Sequence, residues 1–357
     1  MQKQKQQQFA EIIGLIKQTQ SLAVQSVNTE LINLYWNVGA YIAQQLASAA
    51  WGDKTVDELA DYIQKNQPEL KGFNRRGLYR MKQFYETYAQ SAVVLSSEMQ
   101  SQTLSSQGDT IVSLPMTQFR AEDIRESFLT KVSWTHHLTL ISRTKTNEER
   151  EFYLMLAIKE KYSVKELDRQ ISASLYERTL LGETKLTPAL RELYPDITAS
   201  VKDDYVFEFL GLSESHSESD LQKGLVGQLK KFILELGKDF LFVGEEFRVQ
   251  VGNSDFFIDL LFYHRGLQCL VAFELKADKF QPEYLGKLNF YLEALDRDVK
   301  KSNENPSIGV LLCKDRDSEI VEYALSRTLS PTMVSQYHTQ LPDKKLLQQK
   351  LRELFAK

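Results

Sequence analysis

The chain has 357 residues, enough for two domains, and with 42% hydrophobic and 26% charged residues it falls among globular proteins rather than disordered or fibrous ones. A net charge of -4 excludes a protein that binds nucleic acid through an overall basic surface, so any such contact has to be local. No apolar run approaches the roughly 20 residues that cross a bilayer, Met1 to Gln8 carries no signal-peptide core, and Cys269 and Cys313 form no Cys-x-x-Cys metal site. The chain therefore reads as cytoplasmic, with no membrane partner.

Residues 9 to 47 have helical periodicity in three groups, Ile12, Leu15 and Ile16, then Leu22, Ala23 and Val27, and then Leu31, Leu34, Tyr35, Val38, Ile42 and Leu46, with Asn28 as a cap or a break. A second helical cluster covers Thr55 to Ile63. Pro68 and the turn Gly72-Phe73-Asn74 then introduce a helix from Arg75 to Tyr88, with Asn74 placed to cap it. Lys71, Arg75, Arg76, Arg80 and Lys82 make this the most basic helix start in the chain. Such a start can hold phosphates through amides and side chains together, or can be an ordinary solvated face.

Residues 91 to 112 are rich in Ser and Gln and read as a flexible loop. Helices follow from Asn147 to Lys161 and from Ser163 to Tyr176, the latter opened by a Ser163/Glu166 capping box. His136 and His137 are adjacent, so they point apart on a helix and have no further His or Cys nearby to make a metal site; packing or capping is the expectation for both. Thr187-Pro188 to Pro195 is the candidate linker, which divides the chain into residues 1–190 and 198–357. Beyond it come a polar loop from Ser213 to Ser219, one long amphipathic helix from Leu221 to Leu236 stopped by Gly237, and a strand or two between Phe240 and Val251.

The second half centres on Asp255 to Lys276. Two apolar and aromatic runs, Phe256 to Tyr263 and Leu270 to Phe273, flank His264-Arg265-Gly266 and predict a buried hairpin. Asp259 interrupts the first run. Glu274 and Lys276 end the second, two apart and so on one face of a strand. A carboxylate in an apolar setting costs several kcal/mol unless it is paired or bound to a cation. With the two strands adjacent, Asp259 comes beside Glu274, and the pair repels unless a divalent metal such as Mg2+ or Mn2+ lies between them. Lys276 would then stand by a phosphodiester under attack. The alternative is a hydrogen-bonded core Asp259 with Glu274 and Lys276 solvated at a strand end. After the hairpin come a helix around Tyr284, Lys287, Leu288 and Tyr291, a strand from Ile308 to Cys313, a helix from Glu322 to Leu329, a last strand within Pro331 to Gln340 and a closing helix from Pro342 to Phe355.

The order strand, turn, strand with Glu274-x-Lys276, helix, strand resembles the core of the PD-(D/E)xK nuclease superfamily. The ordered set Tyr205 to Leu212, Phe232 to Lys238, Phe257 to His264, Phe273 to Lys276, Pro282 to Leu292 and Gly309 to Lys314 is similar to the YhcG-like nuclease family within it. Asn33 to Gly39, Trp51-Gly52, Gly72 to Leu78 and Met81 to Tyr85 likewise resemble the helical domain that accompanies these nucleases. The resemblance implies an α+β chain of two domains: a helical domain, like a winged-helix or helix-turn-helix unit, and a restriction-endonuclease-like α/β domain.

The activity so implied is metal-dependent cleavage of DNA, with RNA as the other candidate substrate. Asp259 and Glu274 are the implied Mg2+ or Mn2+ ligands and Lys276 the residue that orients water, while Arg75, Arg76, Arg80 and Lys82 contact DNA. Glu235, Tyr284 and Lys287 are supporting candidates. Two features depart from the family pattern. The first helix has Gly227 and Gln228 where relatives add an acid, leaving Glu235 as the nearest, and Lys287 stands where Gln is common. These departures keep a second reading open: a nuclease-fold docking subunit of weak or no activity, working with defence-system partner proteins. A homodimer would suit cleavage of two strands.

Overall fold

The structure is a computed structural model and describes residues 2–49, 51–52, 54–89, 124–195 and 197–355. The loop predicted over 91–112 lies outside the described residues. Two compact units divide at Ile171/Ser172.

The first unit is helical. Helix α1 (Gln2–Ala47) is continuous through Asn28, which neither caps nor breaks it; the Asn28 amide donates to the carbonyls of Thr130 and Val132 instead. After α2 (Thr55–Asn66), the Asn74 side chain accepts from the Gly77 N–H and opens α3 (Arg75–Tyr88), as the turn chemistry predicted. Leu78, Met81, Phe84 and Tyr88 form the buried face of α3. That face meets Trp36 of α1, whose ring lies 5.8 Å from Phe84. Gly39 makes the crossing of α1 and α3 possible, because a Cβ there would collide with the Met81 carbonyl. A 3-10 turn (Phe128–Lys131), α4 (Trp134–Arg143), α5 (Asn147–Glu160) and α6 (Val164–Ser172) complete the described part. It contains no strand, so the wing of a winged helix is not among these residues.

His136 and His137 are structural. His136 joins the Ser133 hydroxyl at 2.7 Å to the Tyr162 carbonyl at 3.0 Å, while His137 is fully buried against Phe84 and bonded to the Leu129 carbonyl. Burial lowers the His137 pKa to about 4, so it is neutral in the fold.

The second unit begins earlier than the punctuation at Thr187 suggests. The single helix expected to reach Tyr176 is broken by Ser174, which is left-handed (φ 53), and α7 (Leu175–Leu181) follows the break. Strand β1 (Lys185–Leu186) pairs with the last strand of the sheet, and α8 (Pro188–Leu193), capped by Thr187, occupies the expected linker. Next come β2 (Asp204–Val206), α9 (Glu218–Gly227), α10 (Leu229–Leu236), β3 (Phe240–Val251), β4 (Ser254–His264), β5 (Cys269–Lys279), α11 (Tyr284–Ala294), β6 (Ile308–Asp315), α12 (Ser318–Leu325), β7 (Thr332–His338) and α13 (Lys344–Phe355).

The strands form one seven-stranded sheet in the order β1-β7-β6-β5-β4-β3, with β2 also paired to β7. β3, β4 and β5 are antiparallel neighbours, whereas β5, β6 and β7 run parallel through the crossovers α11 and α12. Alternation along the central strands supplies both faces of this sheet. Val271, Phe273, Leu275, Val310 and Leu312 pack with Phe232 and Leu225 on the side of α9 and α10. Ala272, Leu311, Cys313 and Val334 pack with Leu285, Leu288 and Val321 on the side of α11 and α12. Both cysteines are free and buried in this core, the Cys269 and Cys313 thiols each pushed up to about 12 by burial.

Candidate active site

The β4–β5 ladder pairs His264 with Cys269 through to Leu260 with Phe273, and there it stops. One step further Asp259 would oppose Glu274, but the strands have parted, and the Asp259 carboxylate accepts the Leu275 N–H at 2.7 Å in place of a strand partner. On β3, Glu246 lies between the residues paired with Leu260 and Ile258 and is left-handed (φ 42). The predicted hairpin therefore forms. Its turn spans Arg265 to Gln268, starting one residue and ending two residues later than the expected His264 to Gly266.

Glu274 is fully buried on the α11 side of β5. Its Oε1 receives Lys276 Nζ at 3.1 Å and Lys287 Nζ, from α11, at 2.7 Å. The other oxygen, Oε2, is buried with no hydrogen-bond partner. From the opposite face of the sheet, α9 brings Glu218 to 3.2 Å from Lys276 Nζ, and its Gln222 amide donates to the Asp259 carbonyl at 3.1 Å. Tyr284 places its ring 5.1 Å from the Lys276 ammonium. Helices from both faces thus converge on the fork between β4 and β5, and Asp259, Glu274, Lys276, Lys287 and Tyr284 are brought together there.

The charges in this cluster hold one another in defined states. Burial, with the Glu274 charge second, pushes the Asp259 carboxyl up to about 6 against the pull of the Leu275 N–H and the two lysines. Burial works against the Lys276 charge, but Glu274 and Glu218 together outweigh it and raise its pKa; Lys287 is raised in the same way, chiefly by its bond to Glu274. Both lysines are therefore cationic at neutral pH, and Lys276 is a donor of hydrogen bonds and positive charge rather than a base.

Glu235 does not reach the fork. Its buried carboxylate accepts the Val206 N–H at 3.1 Å and lies 3.5 Å from Lys202 and 3.9 Å from Arg178. The acid that the first helix does contribute is Glu218, which sequence reading missed. The expected single helix over 221–236 starts at Glu218 and breaks at Gln228, and Ser217 and Asp220 form a reciprocal capping box. Ser-x-x-Asp before an apolar run was the available signal.

In the helical unit the four named cations differ. Arg75 pairs with Asp57 at 2.8 Å and Lys82 with Glu86 at 2.9 Å. Arg76 and Arg80 have no ion pair among the described residues.

An α/β/α unit in which an aspartate from one strand and a Glu-x-Lys from the next meet at the end of their ladder is the core of a PD-(D/E)xK nuclease. Residues 198–352 match the YhcG PDDEXK nuclease domain, and residues 11–108 and 110–178 match the DUF1016 N-terminal domain. The chain is 32% identical to the Escherichia coli (strain K12) protein named "Putative nuclease YhcG", over 95% of this chain and 92% of that protein. It belongs to the YhcG-like nuclease family. No solved structure matches the chain.

Proposed function

We propose that this chain is a cytoplasmic nuclease that hydrolyses DNA phosphodiester bonds with the help of Mg2+ or Mn2+. The observation that carries the reading is the convergence of Asp259, Glu274 and Lys276, with Glu274 Oε2 left buried and unpartnered. Among the described residues no three His, Cys, Asp or Glu side chains form a ready metal cluster. Two hard carboxylates with one orphaned oxygen nonetheless fit a cation such as Mg2+, which keeps several waters and is commonly bound through one or two carboxylates plus phosphate oxygens. Asp259 and Glu274 would hold it, and when bound it would polarise the phosphate and lower the pKa of a coordinated water.

The protein's own groups supply the rest. Lys276, cationic and held between Glu274 and Glu218, points its ammonium to orient the attacking water and offset charge that develops on the phosphate. Tyr284 covers one side of that ammonium, and Glu218 acts as a positioning residue for it. Arg76 and Arg80 are the cations of α3 that would take phosphates first, whereas Arg75 and Lys82 would have to exchange their surface partners Asp57 and Glu86 for them. Asp259→Ala, Glu274→Ala and Lys276→Ala should each abolish metal-dependent cleavage while the fold survives; cleavage that persists in all three removes the assignment.

One observation favours a second reading. Lys287 sits 2.7 Å from Glu274 and neutralises the carboxylate that would bind metal, as suits a docking subunit of weak or no activity. Calorimetric titration with Mg2+ and Mn2+ separates the two: binding that weakens in Glu274→Gln supports the nuclease, and no binding to the wild type supports the docking subunit.

A further inference from the structure

The β3–β4 hairpin runs past the sheet. β4 pairs with β5 only from Leu260 to His264, whereas its pairing with β3 continues to Val251 and Ser254. The segment from Phe247 to Ile258 is therefore a two-stranded arm rooted at Asp259. One side of the arm is anchored on α11. Phe247 and Phe256 pack against the core there, Phe256 lies 4.6 Å from Phe290, and the buried Tyr291 donates its hydroxyl to the Phe257 carbonyl at 2.6 Å.

The Phe257 side chain does not join that packing and is 49% exposed. A lone exposed aromatic is ordinary on a protein surface; this one differs in where it stands. It precedes Asp259 by two residues, a separation of roughly 7 Å along a strand. Its backbone is pinned by Tyr291, and its cross-strand partner is Arg248. Arg248 is exposed and paired with Asp255 at 2.8 Å, the kind of surface ion pair that is worth little and can exchange for a phosphate.

We propose that Phe257 is a stacking platform for a substrate base beside the scissile phosphate, with Arg248 taking the next phosphate, and that the substrate is DNA unpaired at that point. The inference rests on the nuclease reading and names its substrate class. Bases within a duplex have both faces covered by their neighbours, so an aromatic ring at this position can take a base only where the stack is open.

The test is binding in EDTA of a DNA strand carrying 2-aminopurine, alone and as a duplex, to the wild type, Phe257→Ala and Phe257→Trp, followed by cleavage of both forms with Mg2+. The single strand should bind more tightly than the duplex and lose 2-aminopurine fluorescence. Phe257→Ala should weaken its binding roughly 5- to 150-fold, the loss expected from one base–aromatic stack, and Phe257→Trp should retain it. Duplex binding should be equal in all three proteins. Single-strand binding unchanged in Phe257→Ala overturns the platform; if the wild type still cleaves, the nuclease reading stands without it. Stacking without cleavage by the wild type supports the platform and removes the nuclease.

Discussion

Asp259 ionises at a cost, and that cost sets a pH dependence. Its carboxyl is raised from 3.8 to about 6 in the fold. Between those values the folded chain holds a proton that the unfolded chain has released, so this group's contribution is full below about pH 4 and is lost as pH rises through 6. Asp259→Asn keeps an acceptor for the Leu275 N–H and cannot ionise. Its melting temperature should rise relative to the wild type between pH 4.5 and 7.5, by the equivalent of roughly 1–2 kcal/mol once solvent screening of a partly exposed group is allowed for. A difference that stays constant across that range would contradict the assignment. Glu218 touches Lys276 and not the carboxylates. Glu218→Ala should lower kcat by about 10-fold with little change in KM, since it loosens a group used in the transition state; a rise in KM alone would make it a substrate-binding residue instead.

Among the elements of the helical unit, α1 and α3 cross at Gly39 with no room for a Cβ. Gly39→Ala should cost about 3 kcal/mol or more, read as a fall in the denaturant midpoint, because the backbone of Met81 rather than a flexible side chain would have to move. A midpoint within experimental error of the wild type would show that the helices can separate freely. Elements were legible where the pattern was local. The apolar and aromatic run from Phe256 to Tyr263 marks β4, and Gly72-Phe73-Asn74 marks the start of α3 with its cap. Breaks inside helical patterns were not legible, since Ser174 and Gln228 interrupt helices whose apolar spacing continues across them. Glu218 lies ahead of the helix expected over 221–236, within which Glu235 is the acid nearest Gly227 and Gln228. The burial of Glu235 against Lys202 and Arg178 depends on β2 and α7, which come together only in the folded unit.

At the scale of the whole molecule, a chain with net charge -4 has to bind nucleic acid through a few local cations. If Arg76 and Arg80 supply two phosphate contacts, the double Arg76→Ala, Arg80→Ala variant should reduce the slope of log binding constant against log salt by about 1.4 for single-stranded and 1.8 for duplex DNA. An unchanged slope would leave α3 a solvated face. Among the described residues no helix is long and apolar enough to cross a membrane. A metal-dependent nuclease centre at the fork between β4 and β5 is tested by incubating labelled duplex, branched and single-stranded DNA, with matched RNA, in Mg2+ or Mn2+ with the purified wild type and with Lys276→Ala. Metal-dependent DNA products from the wild type and none from Lys276→Ala are the predicted result. Products unaffected by the substitution, or no products on any substrate while DNA is still bound, would contradict it.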